Sequence, residues 1–306
     1  MKKKAIEILN LEKVYSDQKA LDGISFDVEE NEIFGLVGPD GAGKTTTIRI
    51  LCGLIYATAG TANLLGYDIR KDRKIIKNLI GYLSQKFSLY TDLSVDENIA
   101  FIAKIHGVKD FKRRRDELLN FMRLTAFRGF LAGRLSGGMK QKLALACALI
   151  HKPKILFLDE PTTGVDPVSR RDFWKILSDL LNENLTIVIS TPYLDEAERF
   201  NRIVMLSDGK VLRYGSPDEI KGEITKPILE IVSPEVRNAT NFIREKTAFE
   251  VQMFGDRFDV VIDDYETDYP LIKKILDDNS IPVIDNRLKP VSLENVFIKI
   301  LKEKNR

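Results

Sequence analysis

The run Ile33-Phe-Gly-Leu-Val-Gly38-Pro-Asp-Gly-Ala-Gly43-Lys44-Thr45-Thr46 leads from an apolar, strand-like stretch through a glycine-rich loop into a helical pattern over Lys44–Ile55. It matches G-x-x-x-x-G-K-[ST] in the strand–loop–helix context that this pattern requires. Glycines at 38, 41 and 43 let backbone N–H groups turn inward around phosphate oxygens. The helix that follows adds its positive N-terminal end. The candidate phosphate-binding residues are therefore Gly38, Pro39, Asp40, Gly41, Ala42, Gly43, Lys44, Thr45 and Thr46. Lys44 is placed to reach β- and γ-phosphates, the Thr45 hydroxyl to ligate Mg²⁺, and Thr46 to add a further hydrogen bond.

Outward from this loop, Ile155-Leu-Phe-Leu-Asp159-Glu160 reads as a buried strand ending in two acids. In open α/β sheets ligands bind at the carboxyl ends of the strands, which aims both acids at the loop. Asp159 is then the candidate Mg²⁺ holder, and Glu160 the candidate group for orienting or deprotonating an attacking water. Thr186–Ser190 and Arg202–Leu206 are further strands, and Asp208-Gly209 turns the latter into Lys210–Tyr214 as a hairpin. Apolar runs alternating with helical patterns predict an α/β fold with a largely parallel sheet.

Residues 97–150 read as mainly helical, and a helical subdomain is expected over about 86–150. Pro217, Gly222 and Pro227 mark a change of texture, so domains are predicted over 1–221 and 222–306. The second reads as strand Ile228–Val232, helix Glu235–Lys246, strand Phe249–Phe254, strand Phe258–Ile262, helix Tyr269–Asp277 and strand Ile281–Ile284. A last helix is capped by Ser292. That βαββαβ order predicts a small ferredoxin-like α+β domain.

Composition narrows the function. With 47 Lys+Arg against 45 Asp+Glu in 306 residues, the net charge of +2 gives no electrostatic reason to expect nucleic acid as a partner. Two cysteines, Cys52 and Cys147, argue against a disulfide scaffold and for a reducing compartment. Two histidines, His106 and His151, argue against a His-rich metal site. The longest apolar run, Leu143–Ile150, is far short of the ~18 residues of a membrane span. The basic start is followed by Glu7, Asn10 and Glu12 rather than an apolar core, which predicts a cytoplasmic protein.

Between the loop and the acidic pair lies Leu135-Ser136-Gly137-Gly138-Met139-Lys140-Gln141. Read alone, it is a helix start capped by Ser136. It also resembles the signature of the ATP-binding cassette (ABC) ATPases. Other landmarks follow in the order of that family. Tyr15 stands where an aromatic stacks on adenine. Gln85, in Gly81-Tyr-Leu-Ser-Gln85, resembles the glutamine that contacts Mg²⁺ and the attacking water. Asp166, in Gly164-Val-Asp166, resembles the loop that crosses a dimer interface. The resemblance covers about Ile6 to Ile220. It implies a P-loop NTPase of the ABC type, with a mixed sheet core and a helical subdomain. It also implies Mg²⁺ with ATP, and head-to-tail pairing with a second, identical or different, cassette. In such a pair Leu135, Ser136, Gly137, Gly138 and Gln141 serve the opposite site. Polytopic permease subunits would place the chain on the cytoplasmic face of a membrane.

One position departs from the family pattern. Ser190-Thr-Pro192-Tyr-Leu-Asp-Glu-Ala197 has Pro192 where the family has histidine. Either hydrolysis tolerates the change because Glu160 and Gln85 remain, or the site is slowed. Ser292-Leu-Glu-Asn-Val-Phe297 resembles the drug-export branch, so export of drugs, lipids or other hydrophobic compounds is expected. The alternatives are a soluble non-transport ABC ATPase and a low-turnover nucleotide-gated subunit.

Overall fold

The computed structural model describes residues 3–85, 89–182 and 184–304. It divides into two compact units, Met1–Ser216 and Pro217–Arg306.

The first unit opens with strands β1 (Lys4–Tyr15) and β2 (Gln18–Glu29), which pair antiparallel. Ala5, Ile6, Ile8 and Leu11 of β1 turn inward, and the alternation slips at Asn10, a left-handed residue at a register shift. β3 (Ile33–Val37) is buried throughout, and α1 (Lys44–Leu51) follows the glycine loop. α1 is one turn shorter than the Lys44–Ile55 expected from sequence. Gly53, at φ 67°, reverses the chain, and the Leu54 N–H bonds back to the Arg49 carbonyl.

β4 (Ala59–Leu64) and β5 (Tyr67–Asp68) complete a four-stranded antiparallel sheet in the order β2-β1-β4-β5. The sequence reading has no strand here. Gly60 is needed where β4 meets β1, because a Cβ at this position would lie 2.0 Å from the Asn10 carbonyl oxygen.

α2 (Arg73–Leu79) and β6 (Ile80–Leu83) lead to the helical region: α3 (Val95–Ile105), α4 (Phe111–Phe121) and α5 (Gly137–Leu149). Ser94 and Glu97 form a reciprocal capping box at the start of α3. The chain then returns through β7 (Ile155–Asp159), α6 (Pro167–Leu181), β8 (Thr186–Thr191), the short α7 (Leu194–Ala197), β9 (Arg202–Ser207) and β10 (Lys210–Gly215). The second sheet runs β10-β9-β3-β8-β7-β6, parallel except for the β10 edge. β3, β7 and β8 are wholly buried, as parallel strands covered on both faces must be, which is why they read as continuous apolar runs.

The second unit comprises α8 (Pro217–Lys221), β11 (Ile228–Val232), α9 (Val236–Lys246), β12 (Glu250–Phe254), β13 (Arg257–Val261), α10 (Tyr265–Asp278), β14 (Asp285–Lys289) and α11 (Leu293–Lys304). The strands pair antiparallel in the order β12-β13-β11-β14, the topology of a βαββαβ ferredoxin-like sheet. Ile243 of α9 and Ile272 and Leu276 of α10 pack with Leu229, Ile231, Phe258 and Val260. On the other face Gln252 and Asp259 form a buried polar network with Asn295 of α11, and Lys289 joins Asp259 to Glu230. Asn295 bonds both Gln252 and the Asp259 carboxylate.

Two expectations are corrected here. α10 begins a turn before Tyr269, because the Asp264 side chain caps it by accepting from the Thr267 N–H. The last strand is Asp285–Lys289 rather than Ile281–Ile284. Ile281 belongs to the core under the helices and Ile284 is 70% exposed. The polar β14 is held instead by Arg287 and Lys289, which pair with Glu230 across the sheet.

Candidate functional site

The loop between β3 and α1 turns on glycines in left-handed backbone, Gly41 at φ 80° and Gly43 at φ 102°. A Cβ on Gly43 would press within 2.7 Å of the Ala20 carbonyl. The Lys44 side chain folds back under the loop. Its ammonium donates to the Gly38 carbonyl at 2.8 Å and the Pro39 carbonyl at 3.0 Å, and lies 3.3 Å from Glu160 Oε1. Lys44 is only 3% exposed.

The two acids meet this loop from the end of β7. The fully buried Asp159 Oδ1 accepts from the Thr45 hydroxyl at 2.9 Å and from the Ser190 hydroxyl at 2.7 Å. Its other oxygen faces the Tyr82 hydroxyl at 3.5 Å, and burial, then Asp159, pushes that phenol up to about 12. Glu160 is in left-handed backbone at φ 49°, and its N–H donates to the Ser190 hydroxyl. Its Oε2 accepts from Gln85 Nε2 at 2.9 Å. Lys44, Thr45, Gln85, Asp159 and Glu160 thus converge from α1, the segment after β6 and the end of β7.

Lys44, Thr45, Gln85 and Glu160 border an open cavity of about 510 Å³, and Asp159 is buried behind Thr45. The cavity wall includes Asp40–Thr46, Gln85 and Glu160, and also Gln18, Lys19, Ala20 and Asp208. Sequence reasoning missed these last four. Two turns carry the signal for them, the one between β1 and β2 and the Asp208-Gly209 hairpin. The Gly209 N–H bonds the Ala42 carbonyl, which brings that hairpin to the loop.

Residues 21–163 match the ABC transporter domain family. Over 302 residues, 96% of both chains, the protein is 33% identical to the Nod factor export ATP-binding protein I of Burkholderia pseudomallei (strain K96243). This chain belongs to the ABC transporter ATP-binding protein family. Over 222 residues it is 40% identical to the probable multidrug ABC transporter ATP-binding protein YbhF of Escherichia coli (strain K12). That match takes in 71% of this chain and only 38% of YbhF. A solved ATP-binding subunit of an ABC transporter superposes on 72% of this chain, and on 92% of its own, with a TM-score of 0.66 and 29% identity.

The ABC family is one of ATPases, and its remaining motifs are distributed unevenly here. Ser136 caps α5 by accepting from the Met139 N–H, and Ser136 and Gly137 are exposed. Leu135, Gly138 and Gln141 are buried. Gln141 donates its side-chain amide to the Pro161 carbonyl. A Cβ on Gly138 would lie 2.5 Å from the Ser169 hydroxyl of α6, so this glycine serves helix packing. Asp166 caps α6, accepting from the N–H groups of Val168 and Ser169, and hydrogen bonding from the Ser169 hydroxyl, then from these N–H groups, holds its carboxyl below the usual range. Tyr15 is 44% exposed with the Lys13 ammonium over its ring, and it is not part of the cavity wall. Pro192 follows β8 directly and is half-buried.

The two histidines, far apart in sequence, stack face to face with ring centroids 3.8 Å apart. They line a separate cavity of about 280 Å³ together with both cysteines. Burial lowers both imidazoles, His151 to about 4, which keeps the stacked pair uncharged at neutral pH.

Proposed function

We propose that this chain binds ATP with Mg²⁺ and hydrolyses it as the nucleotide-binding subunit of a membrane exporter. The observation that carries this reading is that Lys44, Thr45, Gln85 and Glu160 line one cavity beside the glycine loop, with Asp159 bonded to Thr45 behind it. Lys44 neutralises the β/γ-phosphates, and the N–H groups of Gly41 and Gly43–Thr46 hold them. The Thr45 hydroxyl and Asp159 carboxylate, already 2.9 Å apart, are hard oxygen donors suited to Mg²⁺, with Gln85 beside them. The metal would neutralise charge developing on the phosphates. Glu160 orients the attacking water.

Among the described residues no helix is long and apolar enough to cross a membrane, and we assign the spanning part to polytopic partner subunits. Gln85 and the helical region described over 89–130 form the surface that meets them, residues 86–88 lying outside the described residues. There, Tyr90, Phe101, Ile105 and Phe130 are exposed side chains available for an apolar contact. The chain then works peripherally on the cytoplasmic face. The relatives named for multidrug transport and Nod factor export support outward transport of drugs, lipids or other hydrophobic compounds. Capture of the full chain should bring down a polytopic membrane protein, and the pair should hydrolyse ATP. A soluble ribosome- or DNA-bound complex in its place would overturn the assignment.

Pro192 supports a pairing in which the two ATP sites differ. It offers no donor to a γ-phosphate, while Ser136 and Gly137 remain exposed to serve a site on a partner cassette. Pro192→His is then expected to raise turnover at this chain's own site. Ser136→Arg should stop turnover at the partner's site. Equal turnover at two equivalent sites in a homodimer of this chain, as fast as the full complex, would rule this asymmetry out.

A further inference from the structure

Four hydroxyl, carboxylate and guanidinium contacts surround the position where Pro192 interrupts the family pattern. The Thr191 hydroxyl accepts from the Tyr193 N–H at 3.0 Å, closing a tight turn around Pro192. The same hydroxyl donates to Glu196 Oε2 at 2.9 Å. Glu196 is 2% exposed, and its other oxygen lies 3.7 Å from Arg170 of α6. The Arg170 guanidinium also covers the Tyr193 ring, 5.1 Å from its centroid. Arg170 therefore grips the residues on both sides of the turn, and Glu196 ties the turn to the end of β8.

Both ends of this chain of contacts reach the candidate ATP site. The Thr191 carbonyl accepts from the N–H of Gly38, the first residue of the phosphate loop, at 3.4 Å. The first turn of α6 begins at the Asp166 cap and packs its Ser169 against Gly138 of the signature helix. One α6 turn thus carries contacts to the signature helix, the dimer-loop residue and the strand end beside the phosphate loop.

We propose that Glu196 and Arg170 are positioning residues that hold the Thr191–Tyr193 turn at the distance from the phosphate loop that hydrolysis requires. This rests on the reading that the cavity takes ATP. In this chain the turn is set by backbone, because Pro192 has no side-chain donor and the Tyr193 N–H is committed to Thr191. Its placement relative to Gly38 depends on the buried carboxylate and its cation. Glu196 and Arg170 do not line the ATP cavity, so they act through the turn rather than by touching nucleotide.

Arg170→Ala and Glu196→Ala are tested in the full chain together with its captured partners. Each is expected to lower kcat for ATP about 10- to 100-fold, the size of a small misplacement of reacting groups. The affinity for a fluorescent ATP analogue should stay within about 3-fold of the unaltered chain, because uniform binding is untouched. Arg170→Lys, which keeps the charge, should recover part of the lost kcat. The double variant should be little worse than either single one, because both remove one contact chain. If Glu196→Ala fails to fold, Arg170→Ala decides alone, its side chain being 31% exposed. Unchanged kcat in a folded variant, or a loss matched by lost ATP binding, overturns the proposal. If the unaltered protein does not bind the analogue, the ATP reading fails instead.

Discussion

Glu160→Gln is expected to slow ATP hydrolysis about 10²-fold or more, the usual worth of a positioned general base, while ATP binding survives. The substitution keeps the shape of a side chain that is only 8% exposed. It removes the charge that faces Lys44 at 3.3 Å and the carboxylate that accepts from Gln85. The loop itself, the Thr45–Asp159 bond and the Lys44 contacts to Gly38 and Pro39 do not depend on that charge. Binding and chemistry therefore separate. Phosphate release measured in the assembled complex gives the rate, and size-exclusion in ATP shows whether a nucleotide-bound dimer accumulates. A rate equal to that of the unaltered complex would remove Glu160 from the chemistry.

The second large effect is at Lys44. Lys44→Ala should weaken MgATP binding about 10²-fold or more, because truncating one partner of a buried, hydrogen-bonded charge pair costs at least ~2–5 kcal/mol. The structure adds a consequence that the sequence alone conceals. The ammonium is buried and is also the cation beside Glu160, so its removal leaves that carboxylate with Gln85 and no charge partner. A lower melting temperature is expected, with far-UV dichroism and a cooperative transition retained. Titration with a fluorescent ATP analogue reads the first effect and calorimetry the second. Loss of the dichroism would make Lys44 a folding residue first. Normal ATP affinity would disprove its phosphate role.

Caps and buried strands were legible because they are local. Ser136 can accept from the N–H group three residues ahead whatever the rest of the chain does. The runs Ile155–Asp159 and Thr186–Thr191 are apolar along their length because both faces are covered. By the same logic the sequence misread residues 281–289. The apolar Ile281-Pro-Val-Ile284 looks more like a strand than Asp285-Asn-Arg-Leu-Lys289 does, yet pairing follows the charges that meet Glu230.

By itself the sequence determined the glycine loop with its lysine and threonine, the acidic pair at a strand end and the signature helix start. Each is a short-range relation between neighbouring residues, set by backbone sterics, capping and the period of the apolar pattern. Only the tertiary structure decided that Lys44 turns inward to Glu160, that Gln18, Lys19, Ala20 and Asp208 wall the cavity while Tyr15 does not, and that Gln141 is spent on Pro161. It also decided that His106 stacks on His151 and that Arg170 grips the turn around Pro192. The physical reason is the same in each case. These contacts join residues distant in the chain, and the register of the parallel sheet and the packing of α5 and α6 bring them together.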